Sequence, residues 1–172
     1  MRRRCVLQAL AASLATPALT AQAQFRRQRW PDAQATPALD LQDLQGQRWS
    51  TAGLAGKAVL LNFWATWCAP CKEELPSLQT LHEMSGAQLQ VLAINVRETA
   101  SHVRRYLQAT GLSLPVVLDG QGDLVRRWGV TVYPTTVLIA ADGRARWRVV
   151  GEVDWTGREP AQWLASLAPA PR

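Results

Sequence analysis

The sequence is short of cysteine and of long apolar runs. Its three cysteines are too few for the disulfide framework of a small secreted domain, and one short of a four-thiolate zinc site. The most apolar stretch, from Cys5 to Leu19, is shorter than the about 20 residues of a membrane-spanning helix, and polar residues interrupt it. With 48% hydrophobic and 19% charged residues among 172, the composition predicts one globular domain.

The first 23 residues have the order of a secretory signal peptide. Arginines at positions 2–4 precede the apolar stretch, and Ala21-Gln22-Ala23 provides small residues for cleavage after Ala23. We therefore expect residues 1–23 to be a cleaved signal peptide and the mature protein to be periplasmic. An uncleaved signal that acts as a membrane anchor is the alternative, and the paired arginines leave the twin-arginine export route open.

Positive charge is in excess, but part of it lies in this leader. Removing the three leader arginines lowers the formal charge from +6 to +3, an ordinary value for a small soluble domain. Arg144, Arg146 and Arg148 alternate with other residues, a pattern typical of the solvated face of an edge strand. Because Trp147 has the opposite orientation, no aromatic residue shares that face, and we expect no nucleic-acid partner.

The rest of the chain divides into a tether, one domain and a short tail. Residues 24–37 are polar, contain prolines and lack periodicity, which is typical of a flexible linker. Residues 38–168 form the predicted domain, and 169–172 are predicted to be a disordered C-terminal tail. Cleavage of the leader removes the first cysteine and leaves Cys68 and Cys71 as the thiols of the mature protein.

Hydrophobic periodicity in the domain alternates between that of strands and that of helices. Short alternating segments at 39–41 and 48–50 flank a turn, which predicts a small hairpin. Further strands are predicted at 58–64, 89–96, 115–118, 135–140 and 145–149, and helices at 70–84, 99–111, 123–128 and 160–167. This order predicts an α/β fold whose central sheet is partly parallel with antiparallel edge strands.

The motif Trp-Cys-Ala-Pro-Cys at 67–71 lies where the predicted strand 58–64 gives way to a helix. The first thiol therefore meets the positive end of the helix dipole, which stabilises its thiolate and makes Cys68 the expected nucleophile. Cys71, one turn later and inside the helix, is the expected resolving thiol. The pair is thus predicted to cycle between dithiol and disulfide.

A structural disulfide or a metal site would also use such a pair of thiols. A purely structural disulfide is disfavoured, because so short a loop constrains the unfolded chain little. Zinc would need two more ligands, and the histidines, His82 and His102, are far apart on different predicted helices. Cu(I) prefers thiolates, so a copper-binding and delivery module stays an alternative.

The run from Phe63 to Lys72, which contains the cysteine motif, and the run from Val132 to Thr136 resemble the thioredoxin superfamily. Within it, the exported TlpA/ResA-like thiol-disulfide oxidoreductases are the most similar group, and the resemblance covers residues 38–168. It implies a thioredoxin-like fold, with a central mixed sheet flanked by helices and an N-terminal β-hairpin extension.

The resemblance also implies roles for residues around the cysteines. Pro134 matches a cis-proline that lies against the disulfide, and the backbone of Tyr133 would pair with a bound substrate segment. Trp67, Ala69 and Pro70 would complete the substrate surface, with core packing as an equal alternative for Trp67.

Glu74 matches an acidic residue that manages the protons of the cysteines in ResA-like proteins. The alternative is a carboxylate on the helix surface, favoured by the helix dipole. Asn62 stands where cytoplasmic thioredoxin has a buried aspartate, so Glu74 becomes the natural proton acceptor for Cys71. Glu98 is interpreted only as a residue at the start of a helix.

The expected function is reduction of disulfides in exported client proteins, apocytochromes c among them. It needs no cofactor beyond the redox-active disulfide Cys68-Cys71 and no metal, and a transmembrane thiol electron donor would re-reduce the protein, which is expected to be a monomer. Apart from the copper module, one alternative is a disulfide oxidase or isomerase, which would use the same pair at a higher potential. Another is a peroxidase of the related peroxiredoxin group, which would want one activated cysteine in a different local motif.

Overall fold

The computed structural model describes residues 25–168, which form a six-stranded sheet and a two-stranded one. The strands are β1 (Phe25–Arg29), β2 (Asp40–Gln42), β3 (Arg48–Ser50), β4 (Ala58–Trp64), β5 (Leu89–Val96), β6 (Val116–Asp119), β7 (Thr135–Ile139) and β8 (Ala145–Gly151). The helices are α1 (Ala69–Met84), α2 (Ala100–Thr110), α3 (Asp123–Arg127) and α4 (Arg158–Ala165). The predicted signal peptide over 1–23 and tail over 169–172 lie outside the described residues.

Three apolar strands build the centre of the larger sheet. β4 and β5 run parallel and are buried along nearly their whole length, which suits parallel strands because these are usually covered on both faces. β7 runs antiparallel to β4, with Phe63 opposite Thr135. The strand order β1-β8-β7-β4-β5-β6 therefore confirms the predicted central mixed sheet.

Apolar side chains cover both faces of this sheet. Leu78 of α1, Val103 of α2 and Trp163 of α4 belong to the cluster on one face. Trp128, which follows α3, and Leu54, which precedes β4, belong to the cluster on the other. Within residues 25–168, none of the helices combines the length and the apolar character needed to cross a bilayer.

The predicted N-terminal hairpin is present as β2 and β3. Asp43 shapes its turn, because Oδ1 accepts a hydrogen bond from the amide of Gln45 and Oδ2 accepts one from Trp49 Nε1, both at 2.9 Å. The amide of Leu44 donates to the carbonyl of Val116 at 2.8 Å, which attaches the hairpin to β6.

The structure corrects the prediction of a linker over 24–37. Part of this segment is β1, which pairs antiparallel with β8 and becomes an edge strand of the sheet. The segment lacks the alternation of apolar and polar residues by which strands are predicted. Arginine and aromatic side chains make its contacts to the domain instead. The Arg27 guanidinium lies 4.4 Å from the Trp147 ring and 4.9 Å from the Trp163 ring, and Trp30 is buried against Trp128.

The same strand corrects the prediction of a solvated edge at β8. Because β1 pairs with β8, β8 is an inner strand. Arg144 and Arg146 are exposed as expected, but Arg148 is half-buried. Its Nη2 donates to the carbonyl of Trp128 at 2.7 Å, and its guanidinium lies 5.0 Å from the Trp30 ring.

Candidate active site

The two cysteines lie at the start of α1, just beyond the buried strand β4. Cys68 is the N-cap residue with an extended backbone, and Pro70 occupies the first turn, where its missing amide hydrogen costs no helical bond. Cys68 and Cys71 form a disulfide with an S–S distance of 2.02 Å and a Cα–Cα distance of 5.3 Å. The amide of Cys71 donates to Cys68 Sγ at 3.3 Å.

This arrangement distinguishes the two sulfurs. Cys68 Sγ faces an amide of the first helical turn, where the helix dipole is positive, and no acidic side chain lies in that turn to oppose it. Cys68 is 5% exposed and Cys71 is fully buried. Cys68 is therefore the outer member of the pair and the one whose thiolate the helix end stabilises.

Glu74 lies in the core and not on the helix surface. Its side chain is 1% exposed, so the alternative of a surface carboxylate is wrong. Oε1 accepts a hydrogen bond from Trp155 Nε1 at 2.6 Å, and Oε2 accepts one from Asn62 Nδ2 at 3.0 Å. Asn62 Nδ2 also donates to Thr136 Oγ1 at 2.9 Å, whereas the buried Asn62 Oδ1 has no hydrogen-bond partner.

Burial changes the acid strength of this carboxyl group. Desolvation raises the pKa of Glu74 to about 8, although the hydrogen bonds from Trp155 and Asn62 act in the opposite direction. The charge of Glu152 adds a smaller increase. In this disulfide form the carboxyl therefore favours its protonated state at neutral pH, one helical turn beyond Cys71.

The segment before β7 approaches the same end of the sheet. The Tyr133-Pro134 peptide bond is cis. The rings of Tyr133 and Trp67 meet edge to face, with centroids 5.9 Å apart. Trp67 is 65% exposed, which argues against core packing, and Ala69 and Pro70 are exposed beside it. The structure thus brings all the predicted surface residues together, while their contact with substrate stays a proposal.

Glu98 is a residue of this region that the sequence interpretation underestimated. Its Oε2 accepts hydrogen bonds from the amide of Thr66 at 2.8 Å and from Asn95 Nδ2 at 2.7 Å. Its Oε1 accepts one from Thr66 Oγ1 at 2.5 Å, and His102 Nε2 lies 2.8 Å from that hydroxyl. Glu98 therefore ties the end of β5 to the loop that carries the cysteines. The parallel strands β4 and β5 both end in this region, and that shared end is the sequence signal that could have identified Glu98.

Metal ligands are few around the disulfide. Among residues 25–168, no group of three or more His, Cys, Asp and Glu side chains is close enough to hold a metal ion.

Comparisons with known proteins agree with this geometry. The family model described as Redoxin matches residues 28–164. The thiol-disulfide oxidoreductase ResA of Geobacillus thermodenitrificans is 35% identical over 134 residues, which cover 77% of this chain and 76% of that protein.

Solved structures show the same fold. The solution structure of a thioredoxin from Neisseria meningitidis, described as putative, aligns with a TM-score of 0.69 at 33% identity, over 79% of this chain and 91% of that one. The exposed lipoprotein thioredoxin Etrx1 of Streptococcus pneumoniae aligns with a TM-score of 0.68 at 25% identity, over 76% of this chain and 100% of that one. The chain therefore belongs to the Redoxin family, as a ResA-like thiol-disulfide oxidoreductase with a thioredoxin-like fold.

Proposed function

We propose that this protein reduces disulfides in exported client proteins, with Cys68 as the nucleophile and Cys71 as the resolving thiol. The observation that carries the proposal is the placement of Cys68 Sγ at the N-terminus of α1, within 3.3 Å of the amide nitrogen of Cys71. A thiolate at this position is stabilised and is the more accessible of the two.

The reaction has two exchange steps. The Cys68 thiolate attacks one sulfur of the client disulfide and forms a mixed disulfide, while the other client sulfur leaves as a thiolate. The Cys71 thiolate then attacks Cys68 Sγ, which closes the internal disulfide and releases the second client sulfur. Two electrons pass from the enzyme dithiol to the client, which takes up two protons to become a dithiol.

Glu74, in its ionised form in the dithiol state, is proposed to accept the proton that Cys71 must lose before the second step. The two residues are three apart on α1, so their Cβ atoms lie about 5–6 Å from each other. Proton transfer is close to thermoneutral, and so readily reversible, when donor and acceptor have similar pKa values, and a pKa of about 8 for Glu74 is near the ordinary thiol value of about 8.5. The protonated Glu74 of the disulfide form is the expected state after this transfer.

The substrate surface is proposed to be the exposed area around Cys68. Trp67, Ala69 and Pro70 offer contacts on one side, and the backbone of Tyr133 next to Pro134 would pair with the extended client segment. All of these residues belong to one chain, which supports a reaction by the monomer.

Exported clients imply a periplasmic protein whose signal peptide spans residues 1–23. The likeness to an exposed lipoprotein thioredoxin supports a location outside the cytoplasm. Because that compartment is oxidising, repeated reduction requires an electron source, which we propose to be a transmembrane thiol donor. Apocytochromes c are the proposed clients, because their haem-attachment cysteines must be reduced.

Trapping of mixed disulfides tests the proposal directly. A Cys71→Ser variant is expected to retain clients on Cys68 after non-reducing purification from the periplasm, because the resolving thiol is missing. Cys68→Ser is the matched control and should retain none. Equal recovery with the two variants, or no recovery with either, would contradict the assignment. A reduction potential of about −270 mV for the Cys68–Cys71 pair supports a reductase, whereas one of about −120 mV would identify an oxidase.

A further inference from the structure

We infer that a basic groove beside the Tyr133 segment binds an acidic side chain of the client protein, which rests on the proposed function. The groove lies between β1 and the segment that leads to Tyr133. It is lined by Arg26, Gln28, Arg148 and residues 129–132, and also by Thr135 and Val150. Among the described residues no acidic side chain lines it.

The groove opens at the same end of the sheet as the disulfide. Strand register places Arg26 opposite Val150, Val150 opposite Thr135, and Thr135 opposite Phe63. Phe63 lies near the end of β4, from which the chain enters the loop of Cys68. Neighbouring strands are about 4.8 Å apart, so the Cα atom of Arg26 is about 10 Å from that of Thr135. A client segment along the Tyr133 backbone would therefore extend over the groove.

Arg26 presents a charge that no acid in residues 25–168 neutralises. It is exposed and makes no ion pair within that range. With its amide oxygen turned toward this arginine, Gln28 accepts hydrogen bonds from Arg26 Nε at 2.8 Å and from Nη2 at 3.2 Å. Gln28 thus holds the guanidinium and, being neutral, leaves its charge free to attract an anion.

Arg148 adds a second guanidinium, and this one is partly desolvated. Its Nη2 is satisfied by the carbonyl of Trp128, but the buried Nε has no partner. Burial also lowers the pKa of Arg148. A guanidinium has five N–H donors, and a partly desolvated cation without an anionic partner is unfavourable. A client carboxylate in the groove would offset that cost, which a neutral or basic side chain could not do.

The rim of the groove connects it to the reaction site. Val132 is 52% exposed, lines the groove and precedes Tyr133, whose ring contacts Trp67. The class of client that fits is therefore a protein with Asp or Glu within a few residues of the reactive cysteine.

The test compares the reduction of two disulfide-bonded peptides by the dithiol form of the protein. The peptides differ only in Glu or Gln at positions two to four residues from the cysteine. The Glu peptide should react about two- to fivefold faster at low ionic strength, the size expected of a partly screened ion pair, and the difference should shrink in high salt. Hydroxyethyl disulfide, which is small and neutral, reports on the cysteine pair alone.

Variants of the arginines on β1 and β8 show whether the groove causes the preference. Arg26→Gln should remove the preference for the Glu peptide, and Arg26→Glu should reverse it, so that the Gln peptide reacts faster. Arg29→Gln is the matched control, because it makes the same charge change on the opposite face of the strand, near Trp147, and should keep the preference. Arg148→Lys, which keeps the charge but loses the planar fork, should weaken the preference.

Each outcome has one interpretation. Equal rates for the two peptides, with hydroxyethyl disulfide still reduced, would overturn the groove and leave the proposed function intact. Loss of preference in Arg29→Gln as well as in Arg26→Gln would show a general charge effect and would also overturn it. If the protein reduced neither of the two peptides nor hydroxyethyl disulfide, the proposed function itself would be refuted.

Discussion

The buried carboxyl of Glu74 makes the stability of the oxidised protein depend on pH. A group whose pKa is raised on folding contributes fully below its unfolded value, and this contribution is lost as the pH rises through the folded value. For Glu74 the two values are 4.5 and about 8. At about 1.36 kcal/mol for each pH unit, this shift is worth about 5 kcal/mol in total, of which about 4 kcal/mol of the free energy of unfolding should be lost between pH 4.5 and 8.

Glu74→Gln should remove this dependence. Glutamine has the shape of the protonated acid but does not ionise, and its NH2 group could donate to Asn62 Oδ1 once the Asn62 amide turns. Trp155 Nε1 would still have an oxygen to donate to. The variant is therefore expected to lose less stability than the wild type between pH 4.5 and 8, and the difference between the two proteins should level off above pH 8.

The assay is urea unfolding of the oxidised proteins between pH 4.5 and 9, followed by tryptophan fluorescence. The disulfide stays closed in both states, so Cys68 and Cys71 do not titrate. Glu73→Gln is the matched control, because Glu73 is the exposed neighbour on the same helix and should leave the slope unchanged. If the wild type and Glu74→Gln showed parallel profiles, the carboxyl would not be holding a proton, and the role assigned to it would fail.

Three further changes give independent tests. Glu98→Ala should destabilise the protein by about 2–4 kcal/mol, because the partly buried amide and hydroxyl of Thr66 lose their charged acceptor, and should change the reactivity of Cys68 toward iodoacetamide. Gly111→Ala should cost about 1 kcal/mol in chemical denaturation, because φ is 71° there although the space is open. Trp155→Phe removes a hydrogen bond to Glu74 and should raise the pKa of that carboxyl further, measurable as an upward shift in the pH profile of thiol exchange.

Local signals were sufficient for the cysteine motif and for the order of elements. A strand that is apolar throughout must be covered on both faces, and a proline just after the first cysteine suits the first turn of a helix. These two facts place Cys68 at a helix N-terminus without any knowledge of tertiary structure. The β2–β3 hairpin also follows from its own turn residues, since Asp43 accepts hydrogen bonds from its neighbours.

Features that depend on distant residues could not be predicted in this way. β1 has three arginines in five residues and becomes a strand because β8 offers an unpaired edge and Trp147 and Trp163 offer faces for Arg27. The burial of Arg148 follows from that pairing, because Trp30 then covers it. Each partner lies more than a hundred residues from β1, beyond the reach of local periodicity.

The position of the buried acid explains why an asparagine suits position 62. Two carboxyl groups in hydrogen-bond contact cannot both be ionised in the core, so an aspartate beside Glu74 would compete with it for one proton. An amide avoids that competition, since it donates to the ionised acid and can accept from the protonated one. The proton site thus lies on the same helix as Cys71, and its spacing from that thiol is set by a single turn of α1. On this reasoning Asn62→Asp should split the titration near Glu74 into two coupled steps, whereas Thr136→Val, which removes another neighbour of Asn62, should leave it single.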